Sequence, residues 1–191
     1  MQLKCRVCHQ ENETIQHLLA CCPRLSISMY LPVRHNAVAM VIYKMLTKIQ
    51  DNTVQEVYKN AEYEIWWDVK ISTKPAVKHN KPDMFLWRFE EKKAFIIDIV
   101  VGLDINTDKN YSLKLDNYLP LSVEMKRLYN SYTFEIIPIV VGATGLIPKS
   151  FSRNLSKIGI QHFEISKTVE QCQKAAIFGS VKIIKSAMSY S

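Results

Sequence analysis

The chain has 191 residues, a hydrophobic share of 48% and a formal charge of +7. That length holds one ordinary domain with a small module beside it, and that composition excludes a disordered or low-complexity protein. No stretch reaches the roughly 20 apolar residues of a membrane span and the N-terminus carries no apolar signal core, so a soluble, non-secreted protein is expected. Its excess of positive charge favours an anionic partner, nucleic acid first.

The five cysteines are odd in number, and all but Cys172 fall within CRVCHQENETIQHLLACC, Cys5 to Cys22. Such clustering points to metal binding in a reducing compartment, not to a disulfide framework. Cys5 and Cys8 form a C-x2-C turn, and His17 and Cys22 form an H-x4-C half on a short helix capped by Asn12 or Thr14. Two thiolates from a turn and a His/Cys pair from a helix can surround a tetrahedral zinc. Cys21, through H-x3-C, and His9 are rival ligands. A module this short has almost no core, so a structural zinc would supply its folding energy. Its role would be to grip nucleic acid or to brace its neighbour. Residues 1–32 are thus expected to form a zinc knuckle with a linker from Pro23 to Pro32, and residues 33–191 the main domain.

Arg34, His35 and Asn36 open a helical run, AVAMVIYKMLTKIQ, with Asn36 as N-cap and Val38, Val41, Ile42, Met45 and Ile49 on one face. Thr53 to Tyr63 reads as a weaker helix and Glu64 to Thr73 as a strand. The hairpin KPDMFLWRFEEKKAFIIDIVVG follows, with apolar, β-branched and aromatic arms around a charged turn, Glu90 to Lys93. Gly102 to Asn110 is a polar loop. Tyr111 to Tyr132 is helical in composition, kinked or split by Pro120. Phe134 to Val141 is too apolar for an exposed face and reads as a central or parallel strand, closed by Gly142 to Gly145. Pro148 to Ile158 is a short helix. Lys167 to Met188 is a longer one, with Val169, Cys172, Ala176, Phe178, Val181 and Ile184 inward. The order predicts an α/β sandwich, a mixed sheet flanked by helices.

Two carboxylates interrupt the hairpin's apolar arms, Asp83 and Asp98. With the turn centred on Glu91 and Lys92, Phe85 faces Asp98, and Asp83 becomes its diagonal neighbour on the same face, roughly 7–8 Å away at the backbone. That spacing suits two acids sharing a hard divalent cation. A charge inside an apolar strand costs several kcal/mol without a compensating partner, and for two acids a metal is the usual one.

In this order the segments CRVC…HLLACC, RHN at Arg34 to Asn36, KPD at Lys81 to Asp83, IIDIVV around Asp98, KLDNY at Lys114 to Tyr118, IIPIVVGATG at Ile136 to Gly145 and QKAAIFGSVKII at Gln173 to Ile184 resemble the C-terminal end of a non-LTR retrotransposon polyprotein. Such ends carry a CCHC zinc knuckle followed by a restriction-like endonuclease. The resemblance covers nearly the whole chain. It implies a PD-(D/E)xK restriction-endonuclease-like fold and Mg²⁺-dependent nicking of target DNA. The released 3′-hydroxyl would prime reverse transcription of the element's RNA by a polymerase domain that lies upstream. It implies Asp83 and Asp98 as the magnesium-binding acids. The usual lysine two residues after the second acid is Val100 here, and the family pattern moves the lysine to the next helix, where Lys114 fits with Tyr118 one turn on. Lys126 and Lys109 are rivals.

Phosphodiester hydrolysis needs a metal to polarise the phosphate and activate water, and a cation to position that water. Affinity for DNA would come from phosphate contacts, for which Arg34, Lys44, Lys48, Lys78, Lys81 and Arg88 are candidates, and His35 could contact a phosphate or the active site. Target DNA, element RNA and the upstream reverse transcriptase are the partners this implies, with nuclear action after cytoplasmic synthesis and no membrane. A binding remnant that no longer cuts, and a nuclease selective for branched DNA, are the competing expectations.

Overall fold

The computed structural model describes residues 3–51 and 53–190. Five strands form one mixed sheet in the order β1 (Val57–Lys59), β2 (Tyr63–Trp67), β3 (Met84–Arg88), β4 (Lys93–Gly102), β5 (Thr133–Gly142). The first four make an antiparallel meander, and β5 runs parallel to β4 after a crossover through helix α3 (Thr107–Leu128). One turn, α1 (Pro23–Leu25), and helix α2 (Asn36–Thr47) precede the sheet, and α4 (Ser150–Lys157) and α5 (His162–Met188) follow it. No helix among the described residues is long and apolar enough to cross a membrane.

Strand side chains alternate between two cores. Met84, Leu86, Phe95, Ile97, Ile99, Ile137, Ile139 and Val141 point toward α2, α4 and α5, and join Ile42, Tyr43, Phe151 and Cys172 there. Phe85, Trp87, Ala94 and Ile96 point toward α3, where they meet Tyr118, Leu121 and Met125 beside Trp66 and Phe134. Each fully buried large apolar side chain contributes about 1.5–3 kcal/mol, so burial on both sheet faces is the main support of the fold. Asp98 lies on the α3 face of this pattern, between Ile97 and Ile99.

Several sequence expectations are corrected. The segment Pro23 to Pro32 is not a linker: α1 runs into a π-helical stretch, Ser26–His35, which continues directly into α2. Asn36 is therefore no N-cap, because the residue before it is already helical and its side chain bonds to His35. On α2, Val38 and Ile42 are buried as expected, together with Ala39, Tyr43 and Leu46, while Val41 and Met45 are only partly buried. Residues 53–63 hold no helix. Val57 to Lys59 pair with Trp66 to Glu64 as a hairpin whose turn is pinned by Asn60 Oδ1, which accepts from the N–H groups of Glu62 and Tyr63. Pairing with the Trp-rich strand prevails there over a weak helical period. That strand stops at Trp67, where Asp68 turns left-handed at φ 54°.

The β3–β4 register also differs from the expected one. Arg88 pairs with Lys93 and Phe85 with Ile96, so the loop is Phe89 to Lys92 and the strands are shifted by two residues. A shift of two keeps every side chain on its face. One step beyond the Met84–Ile97 pair, Asp83 stands opposite Asp98, so the acids are direct and not diagonal neighbours.

The loop expected from Gly102 to Asn110 already winds at Asp104–Asn106 and becomes α3 at Thr107. Pro120 does not split that helix, which runs unbroken through it, and its ring is exposed. β5 is parallel as expected but lies at the sheet edge. Its apolar run is explained by cover on both faces, from α3 on one side and α4 and α5 on the other. On α5 the buried face is Thr168, Cys172, Ala176, Gly179, Ser180, Ile183 and Ala187, whereas Phe178 and Val181 point outward.

Candidate functional site

Two clusters of ligating side chains emerge. The first is local. Cys5, Cys8, His17 and Cys22 are all buried, and their ligand atoms lie within 4.8 Å of one another, a Cys3His set that could hold a structural metal such as zinc. Cys5 and Cys8 flank a tight turn closed by His9 N–H donating to Cys5 O at 2.8 Å. His9 itself is exposed, at φ 59°. Cys8 Sγ stands 3.3 Å from His17 Nε2. Burial raises the Cys8 thiol, but hydrogen bonds from the Gln10 and Glu11 backbones and the nearby Cys5 and His17 outweigh it and bring the thiol down to about 6. That favours the thiolate a metal needs. Cys22 turns inward and Cys21 outward, so the cluster is completed by Cys22.

This cluster also braces. Its residues pack with Leu18, Leu19 and Leu25 against Ala143, Ile183 and Ala187. The Tyr30 hydroxyl donates to Leu18 O at 2.7 Å and accepts from Cys22 N–H at 3.1 Å. Burial pushes that hydroxyl's pKa up to about 12, so it stays protonated as a donor. The π-helical stretch carrying Tyr30 is thereby tied to the ligand loop.

The second cluster is assembled from distant segments and sits where β4 outruns β3. Pro82 precedes the start of β3 at Met84, and β4 continues from Asp98 to Gly102 with only β5 beside it. Backbone groups on that open edge need partners. Asp83 Oδ2 accepts from Ile99 N–H at 2.6 Å, His35 Nε2 lies 3.0 Å from Ile99 O, and Arg34 Nη2 donates to Val101 O at 3.0 Å. The strand overhang is thus clamped by one acid and by two residues from the end of the π-helical stretch.

Asp98 stands beside Asp83 in a cleft of about 400 Å³ that also includes Tyr30, His35, Lys81, Lys114 and Tyr118. Asp98 is only 3% exposed. Its Oδ1 accepts from the Tyr118 hydroxyl at 2.7 Å. Its Oδ2 is buried as well and is 2.7 Å from Lys114 Nζ as an ion pair. Burial and the Asp83 charge raise the Asp98 carboxyl, against the pull of Lys114 and Tyr118. Burial and the Asp98 carboxylate likewise push the Tyr118 phenol upward, so it is a donor. Two acids therefore lie side by side at the strand end, one held by the Ile99 N–H and the other by Tyr118 and Lys114.

His35 bridges the two halves of the cleft. Its Nε2 lies 3.2 Å from Asp83 Oδ2, and its Nδ1 lies 3.1 Å from Asn36 Oδ1. Burial works against its charge, but the hydrogen bond and charge of Asp83, with Asn36 and Ile99 O, prevail and raise its pKa to about 9. Both ring nitrogens then donate, and the imidazolium sits between two oxygens as a cation.

The structure therefore brings Asp83, Asp98, Lys114, Tyr118, His35 and Lys81 into one cleft. Lys81 is half exposed at the rim and pairs with Asp68. Lys126 is elsewhere, bonded to Asn130 O and Tyr132 O near the other end of α3, and Lys109 is exposed on its first turns.

Arg34 is not a surface cation. It is 1% exposed, bonded to Ser180 Oγ and Val101 O and stacked over Tyr30, with its charge disfavoured by burial. It has no surface to offer a phosphate. Gly179 makes room for it, since a Cβ there would come within 2.7–2.8 Å of Arg34 carbons. Arg88 is likewise occupied, donating to Ile158 O and lying over Tyr63, and Gly159 at φ 93° admits its guanidinium. Lys48 pairs with Glu164, Lys44 donates to Gln50 O, and Lys78 is exposed. Of the two roles expected for His35, phosphate or active-site contact, the structure places it beside Asp83, while the inward turn of Arg34 had no sequence signal.

The chain matches no protein-family model, and a search of the curated proteins returns no match.

Proposed function

We propose that this protein is a metal-dependent DNA endonuclease of the restriction-like kind found at the C-terminal ends of non-LTR retrotransposon polyproteins. The observation that carries the reading is the meeting of Asp83, Asp98 and Lys114 in one cleft, with the buried Asp98 carboxylate paired to the Lys114 ammonium. The strand order around them supports a PD-(D/E)xK arrangement: a Pro-Asp strand start, a second acid on the next strand, then a helix and a parallel strand.

Asp83 and Asp98 would hold a magnesium ion. When bound, it supplies Lewis-acid polarisation of a phosphate oxygen and a lowered pKa for a ligated water. The protein's own groups do the rest. Ile99 N–H fixes Asp83, and Tyr118 fixes one Asp98 oxygen. Lys114 brings an ammonium next to the other oxygen. There it can orient the attacking water and offset charge that develops on the phosphate. Lys114 thus takes the position that Val100 cannot fill. Lys81, at the cleft rim, would hold the DNA backbone there, in a protein of charge +7. The Cys3His cluster acts as a brace for the π-helical stretch that forms one wall of the cleft.

This reading places the chain downstream of a reverse transcriptase, acting on nuclear DNA to free a 3′-hydroxyl that primes copying of the element's RNA. Its test is a paired assay of gel retardation and nicking on the same duplex, with Mg²⁺ or Mn²⁺ added to zinc-loaded protein. Nicking is expected together with retardation. Retardation with no nicking under either metal would support a binding remnant instead. Cleavage confined to four-way junctions would support a structure-selective nuclease.

A further inference from the structure

We propose that the groove at the end of β5, between the first turns of α3 and the start of α4, is a second DNA-backbone site that takes the strand opposite the one in the acidic cleft. This rests on the nuclease reading for the strand in the cleft, and adds to it a contact with the other strand of the duplex.

The groove holds about 560 Å³ and is walled by Asp108, Tyr111 and Ser112 from α3 and by Lys149, Ser150 and Arg153 at the start of α4. Lys149 and Arg153 are exposed, and neither has an ion-pair or hydrogen-bond partner among the described residues. Other cations of the chain are neutralised in place. Lys157, one turn beyond Arg153 on the same helix, is paired with Glu135, and Lys48 is paired with Glu164. Asp108 lines the groove, so two positive charges face one negative charge there. Tyr111, Ser112 and Ser150 add three hydroxyls beside the cations. Cations without acid partners, next to hydroxyl donors, are the groups that phosphate oxygens engage.

The walls are fixed. On α4, Phe151 and Leu155 are buried in the core, and Asn154 Nδ2 donates to Pro138 O of β5 at 2.8 Å. The loop leaving β5 is tied to the approach to α3 by Thr144 N–H, which donates to Asp104 Oδ1 at 3.2 Å. Gln173 Nε2 ties it to α5 by donating to Gly145 O at 2.9 Å. The two cations therefore project from a frame that is set before DNA arrives.

Placement decides which strand they meet. Ser112 and Lys114 are two residues apart on α3, so they face different sides of the helix. Lys114 looks into the cleft, on the β3 side of β4, and Ser112 into the groove, past β5. A helix with its side chains is about 10–12 Å across, close to the width of the major groove, about 12 Å. Backbones on the two sides of α3 thus match the two strands of one duplex. Successive phosphates of one strand, about 3.4 Å apart along the axis, are too close together to straddle the helix.

The experiment is duplex binding by the full chain, zinc-loaded and without added Mg²⁺ or Mn²⁺ so that nothing is cut, with Kd followed against salt. The double variant Lys149→Ala with Arg153→Ala is expected to lower the slope of log affinity against log salt by about 1.8, at roughly 0.9 for each phosphate contact. Binding of one strand alone should be unchanged. Lys149→Arg with Arg153→Lys keeps both charges and should keep the wild-type slope, which separates loss of charge from loss of fold. An unchanged duplex slope in the alanine variant would overturn the inference. So would an equal loss on single-stranded DNA or on RNA, because the groove would then serve the cleft strand or another partner. The expected slopes from a protein that never nicks plasmid would sink the nuclease reading and leave the groove as a duplex site. Folded wild type that binds no duplex would overturn both.

Discussion

The Cys3His cluster takes all its ligands from one short stretch of chain, whereas the acidic cleft draws Asp83 and Asp98 from a hairpin, Lys114 and Tyr118 from α3, and His35 from a helical segment far upstream. The local cluster has thiolates whose spacing alone nearly specifies a tetrahedral site. The cleft has ordinary residues that acquire a purpose only through strand register and helix placement. The two are also joined, because the stretch from Cys22 to His35 begins in the Cys3His cluster and ends beside Asp83. A local site of this kind supplies folding energy, and a distributed one spends some of it by burying charge.

That contrast can be broken first at the cysteines. Zinc removal by a chelator, or Cys8→Ser, is expected to melt the N-terminal module, since structural zinc carries on the order of 10 kcal/mol of apparent binding free energy. Amide exchange would read the loss, and it should extend through Tyr30 to His35 while the sheet core keeps its protection. Loss confined to residues before Cys22 would separate the two regions.

Arg34→Ala comes next. It leaves Val101 O and Ser180 Oγ without the guanidinium and opens a cavity beside Gly179. A destabilisation of about 2–4 kcal/mol is expected from urea unfolding. Retardation of DNA should be unchanged at a concentration where the variant is folded. A weakened DNA complex with unaltered stability would mean that the residue reaches phosphate after all.

The cleft should show the opposite sign. The raised Asp98 pKa means that the folded state holds this proton more tightly than the unfolded state does. Stability tied to it is therefore present at low pH and lost as pH rises above the ordinary carboxylate value. Asp98→Asn removes the ionisation and should raise Tm at pH 7, by roughly 2–4 °C for each kcal/mol relieved. The gain should shrink as pH falls toward about 4, the ordinary carboxylate value. An unchanged or lower Tm at pH 7 would show that Lys114 and Tyr118 fully compensate the charge.

The smallest effect belongs to Cys21. It points to solvent beside a buried Cys22. Cys21→Ser should leave the thiolate-to-metal absorption of Co²⁺-substituted protein unchanged, whereas Cys22→Ser should weaken it.

How much of this was legible in the sequence follows the same division. The ligands Cys5, Cys8 and His17 could be read from spacing, and only the orientation of Cys22 over Cys21 required coordinates. The mixed sheet with flanking helices was legible from the apolar runs of β3, β4 and β5. Asp83 and Asp98 were placed on one face although the register was wrong by two residues, because parity survives such a shift. Failures occurred where tertiary contact overrides local pattern. Val57 to Lys59 became a strand because Glu64 to Trp66 offered an edge. Pro23 to Pro32 read as a linker because prolines mark breaks, yet the buried Leu25 and the Tyr30 hydroxyl hold it as helix. Arg34 was read as a phosphate-contacting cation, and the need of the β4 overhang for donors turned it inward, whereas the reading of His35 as a phosphate or active-site contact included the cleft where it lies.

Supercoiled plasmid reads out the proposed hydrolysis of DNA at the acid pair in a single assay. Zinc-loaded wild type, Asp83→Ala and Asp98→Ala would be compared with Mg²⁺, and nicked circles counted against time. The account predicts nicking by wild type and a loss on the order of 10²–10³-fold or more in each variant, with DNA retardation largely kept. Nicking that persists in both variants, or none from folded wild type that still binds DNA, would contradict it.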